Sequence, residues 1–470
     1  MSRQTRRQIL AGLAGVVATG GVAQAQTAPG LAAPPPRKPP PRPGRLIEEA
    51  GLGAAVRYAV FDPDGALLEG RGADQPVAPA STLKILTALY ALDRLGGGRR
   101  FATRVLRHGD TLILAGGGDP VLDSDALATL AGRVAAAAPQ GIARLAVWGG
   151  ALPFIAEISP EQADHLAYNP AVSGMMLNFN RVHLAWNSGG AGMAVTARAR
   201  AHRPVAYTVR AAGVSGGPVF AWRTDAAREI WEINRSALRV AGSRWLPVRR
   251  PEIYAGDVFQ TLARAAGLPL PAPEVIGDLP DGAVEIARIE SPPLTEILRG
   301  MMEYSTNLTA EAVGLHASGA ADLRASAGAM RGWAARQGIE GLDLRDHSGM
   351  SAQSRVTARA MAQVIATLGV RDGALRGLMR HVGLQDARGR AQPGDLRLDA
   401  KTGTLNFVSN LAGYGGLPGA REVIFAIYVS DMERRAATEG RELPDGVIGW
   451  THRAKYLQQE LVRSWLGRYG

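Results

Sequence analysis

Pro79-Ala80-Ser81-Thr82-Leu83-Lys84-Ile85-Leu86-Thr87-Ala88-Leu89 is the stretch that decides how this chain reads. Leu83, Ile85, Leu86, Leu89 and Leu92 give it a helical period, and Gly96-Gly97-Gly98 stops the run. Ser81 stands at the helix start. Lys84, three residues on, shares its face, so the amine can reach the hydroxyl. A free serine is a poor nucleophile and needs a neighbouring base. A lysine serves as that base only when burial or a nearby cation lowers its pKa. The helix start also offers backbone N–H groups where an oxyanion would form. Alone, Ser-x-x-Lys is usually an ordinary helix start.

Two further motifs follow in order. Ser305-Thr306-Asn307 lies at a turn inside a helical stretch, residues 294–317. A hydroxyl there can relay a proton to a leaving amine, and a carboxamide can hold a substrate amide and hydrogen-bond the base. Lys401-Thr402-Gly403-Thr404 begins a predicted strand. It offers a second cation, two hydroxyls and a glycine that lets substrate approach the strand backbone, a set suited to a substrate ending in a carboxylate. That cation can also help lower the Lys84 pKa. Ser-x-x-Lys, Ser-x-Asn and Lys-Thr-Gly in this order match the joint signature of class A β-lactamases and penicillin-binding proteins. The chain has only four lysines, and two of them occupy the two motif positions that need one.

The surrounding pattern agrees with a mixed fold. Val56–Phe61 alternates, Asp62-Pro63-Asp64-Gly65 turns, and residues 66–69 return as a second strand. Residues 326–337 read as helix, and 401–416 and 423–430 as strands. The C-terminal stretch from His452 is amphipathic, with Leu457, Leu461, Val462, Trp465 and Leu466 on one side. Packing on its own sheet is the favoured reading, and peripheral membrane contact the lesser one. Residues 99–282 change character, with many Gly and Pro and short β-like runs such as Thr111-Leu112-Ile113-Leu114-Ala115; they read as β-rich inserted material.

Composition narrows the function classes. The chain has 470 residues and no cysteine. Disulfides, thiolate metal sites, a cysteine nucleophile and an N-terminal lipidated cysteine are therefore excluded. The formal charge is +11, and 49 of the 53 basic residues are arginine. Its placement argues against a nucleic-acid partner. Arg3, Arg6 and Arg7 lie in residues 1–25, which read as a twin-arginine-like signal: Thr5-Arg6-Arg7-Gln8-Ile9-Leu10, a short Gly/Ala-rich apolar run, then Ala23-Gln24-Ala25. Residues 26–45 form a Pro-rich tether carrying Arg37, Lys38, Arg42 and Arg45, which can also meet an anionic wall polymer. Only +4 remains from Leu46 onward, and no basic run there is interleaved with aromatics.

The motifs and their flanks resemble the D-alanyl-D-alanine carboxypeptidase/endopeptidase family, the low-molecular-mass class C penicillin-binding proteins, from about Ala54 to the C-terminus. Gly117-Gly118-Asp119-Pro120, Ser291-Pro292-Pro293-Leu294, Tyr304-Ser305-Thr306-Asn307-Leu308-Thr309-Ala310-Glu311 and Asp346-His347-Ser348-Gly349-Met350-Ser351 also fit. So does the long interval from Ser81 to Ser305, where that family carries extra domains. The resemblance implies an α+β, serine β-lactamase-like transpeptidase fold: an antiparallel sheet flanked by helices, with a helical subdomain and the site between them. It implies a discontinuous catalytic domain, 46–98 and 283–470, around the insertion at 99–282. It also implies a penicillin-sensitive serine peptidase of the periplasm that acts on peptidoglycan stem peptides, takes β-lactams as covalent inhibitors, and needs no metal or cofactor. By the same carry-over Ser81 is the nucleophile and Lys84 its base. Ser305 and Lys401 pass the proton on, and Asn307 holds the acyl side. Thr402 and Thr404 bind the carboxylate beside Gly403, and the N–H groups of Ser81 and Thr404 form the oxyanion hole.

Two departures stand out: Thr306 where Asp is common, and His347 where Gly is usual. A β-lactamase is the first alternative. Class A enzymes use a Glu between the second and third motifs to activate water. Here that interval holds Glu311 and Glu340, neither of which begins Glu-x-x-x-Asn. A non-catalytic wall-binding or β-lactam-sensing module is the second, and would suit an incomplete triad of motifs. Smaller features have plain expected roles: a turn for Gly116-Gly117-Gly118, packing for Tyr304, wall support for Arg355, and a wall-facing surface of the insert for Asp119.

Overall fold

The computed structural model describes residues 40–225 and 228–470. The signal reading of residues 1–25 and most of the tether lie outside the described residues. Six strands form the central sheet in the order Arg380–His381, Arg397–Leu405, Val408–Gly416, Val423–Ser430, Val56–Phe61, Leu67–Arg71, every neighbour antiparallel. The inner strand Val423–Ser430 is buried along nearly its whole length because both faces are covered. Ala412, Tyr414, Ile424, Ala426 and Tyr428 meet the nucleophile helix, Lys84–Leu95, and the helices around it on one face. Leu398, Leu411, Phe425 and Ile427 meet the C-terminal helix on the other.

That helix runs Val447–Tyr469, starting five residues before His452. Trp450, Leu457, Leu461, Val462 and Trp465 are buried on the sheet. Its apolar face is therefore spent inside the molecule, not on a bilayer. Among the described residues no helix is long and apolar enough to cross a membrane.

The tether ends earlier than its prolines suggest. Pro43–Glu49 is helical, with proline in the first turn, where its missing N–H costs nothing. Ile47 is buried on the C-terminal helix, and Pro41 O accepts from Ser464 Oγ at 2.6 Å.

The insertion has its own core. A five-stranded sheet runs Pro273–Ile276, Arg144–Trp148, Thr111–Ala115, Ala102–His108, Val284–Glu290. Helices Ser124–Ala136 and Pro251–Ala265 pack into the same core, so the insert is mixed rather than simply β-rich. Two three-stranded sheets complete it. Val284–Glu290 pairs with Ala102–His108, so the insert closes near 290 instead of 282. A strand's partner lies in another part of the chain, and composition does not name it.

Asp119 is buried rather than wall-facing, its Oδ1 accepting from Val121 N at 2.9 Å. Gly116 and Gly117 stand where a Cβ would meet Gly174 O and Ala102 O at 2.3 and 2.1 Å. They are points of close backbone approach within the insert.

Candidate active site

Ala80–Leu83 is a single 3-10 turn that leads into the nucleophile helix. In such a turn residues i and i+3 eclipse. Lys84 therefore sits over Ser81, with Nζ 2.9 Å from Oγ. Ala80 holds a φ of 46°, a left-handed conformation that costs a non-glycine residue about 1–3 kcal/mol. The surroundings hold it there. Asn410 Nδ2 donates to Ala78 O and Pro79 O at 2.9 and 3.0 Å, and Thr82 Oγ donates to Pro79 O at 2.7 Å.

Two glycines let other elements reach this turn. A Cβ on Gly403 would stand 3.0 Å from Pro79 O and 3.2 Å from Ser81 N. The glycine of the third motif thus makes room for the nucleophile's own turn, a role beyond the approach of substrate expected from sequence. A Cβ on Gly349, whose φ is 77°, would stand 1.9 Å from Ala80 O. Gly349→Ala should push the turn out of place. A shift of about 1 Å at a reacting group can cost about 10²-fold. We expect at least a tenfold slower acylation by a fluorescent penicillin, by stopped flow, with a lowered melting temperature.

Ser305 ends the Leu294–Tyr304 helix in the left-handed conformation, φ 59°, and Thr306 starts the next, Asn307–Ser318. Lys401 Nζ donates to Ser305 Oγ and to Thr402 O, each at 2.9 Å. Asn307 Oδ1 accepts from Lys84 Nζ at 2.8 Å. Its Nδ2 donates to Tyr168 O at 3.0 Å, so the insert reaches the second motif directly. Ser81, Lys84, Ser305, Asn307 and Lys401 are thus brought together. Thr306 makes no capping bond with its side chain.

The third partner of Lys84 is Ser348 O at 2.9 Å. The 346–351 loop that carries it is fixed by two buried carboxylates. Glu311 accepts from His347 N and Ser348 N, both at 2.9 Å. Asp346 accepts from Met350 N at 2.6 Å, Ser351 N at 2.9 Å and Ser354 Oγ at 2.6 Å. His347 points away from the cleft into the helical subdomain, where Ser326 Oγ lies 2.6 Å from Nε2. It fits because residue 314 is glycine: a Cβ there would stand 2.3 Å from the imidazole. Burial takes His347 down to about 3, so the ring is neutral at physiological pH.

Burial lowers Lys84 to about 8 against the opposing pull of Glu311 and Asp346. Burial also takes Lys401 well below the ordinary lysine value, and the charge of Lys84 lowers it further. Burial and Asp346 push Glu311 up.

Ser81, Ser305, Asn307 and Thr404 line a cleft of about 670 Å³. Its walls include residues 161–168 of the insert and the 432–443 segment. These sides are joined where Arg244 donates to Glu442 at 2.9 and 3.1 Å. Thr402 and Thr404 line an adjoining pocket. Glu311 sits behind Lys84 with no exposed surface, and Glu340 is exposed outside the cleft. Tyr304 is 78% exposed and packs in no core, against the expectation. Arg355 donates to Ala352 O and Ser354 O, bracing the wall. Sequence reasoning missed Tyr168, Asn410 and the Ser348 carbonyl. Ser348 lies in a quoted stretch and Asn410 in the 401–416 strand, but a carbonyl's role leaves no trace in residue type and a strand reading does not say what Asn410 holds.

The sequence model of the D-Ala-D-Ala carboxypeptidase 3 (S13) family matches residues 47–453. A carboxypeptidase of Mycobacterium tuberculosis is 29% identical over 442 residues, covering 85% of this chain and 83% of the relative. A D-alanyl-D-alanine carboxypeptidase of an Actinomadura species is 26% identical, covering 81% and 79%. Among solved structures, penicillin binding protein 4 of Haemophilus influenzae superposes with a TM-score of 0.67 at 18% identity, covering 89% of this chain and 99% of that one. That likeness is one of fold, and it agrees with the α+β architecture described above.

Proposed function

The chain belongs to the D-Ala-D-Ala carboxypeptidase 3 (S13) family, and from that membership and the site geometry we propose how it cleaves peptidoglycan stem peptides. It is a penicillin-binding serine peptidase, a D-Ala-D-Ala carboxypeptidase. The observation that carries the mechanism is two lysine–serine pairs at one cleft, Lys84–Ser81 and Lys401–Ser305, each at 2.9 Å.

Neutral Lys84 takes the Ser81 proton as Oγ attacks the carbonyl of the penultimate D-alanine. The backbone N–H groups of Ser81 and Thr404 stabilise the oxyanion. Ser305, hydrogen-bonded to Lys401, delivers a proton to the leaving nitrogen as the C–N bond breaks, and D-alanine departs. Asn307 orients the acyl side and keeps Lys84 aligned. Thr402 and Thr404 contact the terminal carboxylate. Water then attacks the acyl-enzyme and returns Ser81.

A β-lactamase would need a base that serves the deacylating water, and neither Glu311 nor Glu340 lines the cleft. Penicillin should therefore acylate Ser81 and leave slowly. The residues 1–25 reading supports export to the periplasm, where stem peptides are found. The test is paired. Purified protein should release D-alanine from a pentapeptide, and penicillin should block that release with a stable adduct mapped to the Ser81 peptide by mass spectrometry. Rapid penicillin turnover, or release that survives a full adduct, would overturn the reading.

A further inference from the structure

The carboxamide of Asn307 is held from two sides. Its Oδ1 accepts from Lys84 Nζ at 2.8 Å, and its Nδ2 donates to Tyr168 O of the insert at 3.0 Å. The two contacts have opposite polarity. A carbonyl can be met only by the NH2 end of an amide, and a donated proton only by its oxygen, so together they decide which way round the amide lies. The other neighbour of Nδ2 is Met350 Sδ at 3.2 Å, a weak thioether acceptor. Tyr168 O is therefore the stronger guard against a flip that would turn the NH2 end onto the base.

Tyr168 lies in a stretch, residues 156–170, that has neither helix nor strand. Such a stretch holds a carbonyl in place only where its own polar groups are tied down. Asn169 closes the neck: its Oδ1 accepts from Ser159 N and its Nδ2 donates to Ser159 O, both at 2.9 Å. One side chain from elsewhere in the insert gathers the rest. Arg249 Nη1 donates to Ala156 O and Asn169 O at 3.2 and 2.7 Å, and Nη2 donates to Asp164 O at 3.1 Å. Glu157 Oε2 lies 3.5 Å from the same guanidinium. Asn169 O belongs to the residue next to Tyr168. Arg249 is 7% exposed, and its own backbone is fixed in the insert core, where its N–H donates to buried Glu229 at 2.9 Å. A planar fork with several donors suits carbonyls spread from 156 to 169, whereas an ammonium is a single point.

We propose that Arg249 is a positioning residue for acyl transfer. It touches no reacting group; it pins the 156–169 loop so that Tyr168 O turns Asn307 the right way round for Lys84. The insert then serves the chemistry through a backbone atom, and its fold becomes a condition of fast acylation. The inference rests on the acyl-transfer reading, in which Asn307 keeps Lys84 aligned.

The readout is the acylation rate constant at saturating fluorescent penicillin, by stopped flow, on the whole protein, with folding checked by circular dichroism. Arg249→Ala should slow acylation by about 10²-fold, the scale for a misplaced reacting group. Arg249→Lys should keep part of the rate, because an ammonium can reach one of the carbonyls but not all of them. Asn169→Ala loosens the same loop with the arginine in place and should slow acylation by about tenfold. The deciding measurement repeats each substitution in an Asn307→Ala background. Acting through Asn307, Arg249 should have less than about a twofold effect there. Losses that multiply across the two backgrounds would leave Arg249 a merely structural residue and overturn the proposal. Folded Arg249→Ala and Asn169→Ala proteins that acylate at the wild-type rate would also overturn it. If Arg249→Ala does not fold, Arg249→Lys and Asn169→Ala decide the cycle in its place. Wild type that penicillin does not acylate would overturn the acyl-transfer reading instead.

Discussion

Ser81→Ala and Lys84→Met should each lower D-alanine release by about 10⁴-fold, and the double variant should be no worse than either alone. The reason is the 2.9 Å contact between Lys84 Nζ and Ser81 Oγ. Without the amine the hydroxyl keeps its proton, and without the hydroxyl the amine has nothing to activate. Stability should change far less. Methionine fills the lysine's volume, and removing a buried cation offsets much of what is lost at Asn307 Oδ1 and Ser348 O. The pH profile follows from the same residue. Lys84 works as a neutral amine, and burial sets its pKa at about 8. Acylation should therefore rise with pH through about 8 and fall off below it as the amine takes a proton. Additive losses in the double variant, or an acylation rate flat between pH 6 and 9, would remove Lys84 from the role of base.

The motif residues were legible because their chemistry is carried by residue type at short spacing. Ser81 and Lys84 need only one turn of helix to meet. Their meeting with Ser305, Asn307 and Lys401 was legible only through the joint signature, since contacts such as Lys401–Ser305 span 96 residues of chain. The strands Val56–Phe61 and Val423–Ser430 could be read as strands, while their adjacency in the sheet could not. The turn at Ser305-Thr306-Asn307 was legible, and the structure does break the helix there, between Leu294–Tyr304 and Asn307–Ser318. The left-handed angle of Ser305 that makes the break is a single backbone angle, which periodicity does not reveal.

Backbone roles were the hardest to read. Gly403 reads in sequence as room for substrate; that its missing Cβ also admits the nucleophile turn is visible only in the fold. Tyr168 enters the site through its carbonyl oxygen, which every residue type possesses. His347 looked like a departure near the chemistry, yet its partners are Gly314 and Ser326, on two other helices. Such compensation appears only when the fold brings the two positions together. Glu311 was weighed as a water-activating base because it lies between the second and third motifs, but its carboxylate is turned inward onto two amides.

That inward turn gives Glu311 its own expected result. Glu311→Ala would strip the acceptors from His347 N and Ser348 N, both in a fully buried loop. Leaving buried N–H groups unpaired costs about 1–3 kcal/mol each, and the side-chain cavity adds to it. A loss of about 3–5 kcal/mol is expected, read from denaturant unfolding. Activity should fall as well, because the Ser348 carbonyl that steadies Lys84 would be free to move; about 10²-fold is the scale for such misplacement. Glu311→Gln separates position from charge. The amide keeps one acceptor for the loop, so the fold should survive with a smaller loss. It also removes the negative charge that Glu311, its own pKa pushed up by burial and Asp346, places beside Lys84 once ionised, a charge that holds the Lys84 pKa up. With Asp346 left as the only carboxylate opposing burial, the acylation limb near pH 8 should move to lower pH. The enzyme would then keep more of its rate under mildly acid conditions. A Gln variant that is destabilised but keeps its limb near 8 would reduce Glu311 to a brace for the loop. A limb displaced downward would show that the same carboxylate sets both the place and the proton affinity of the base.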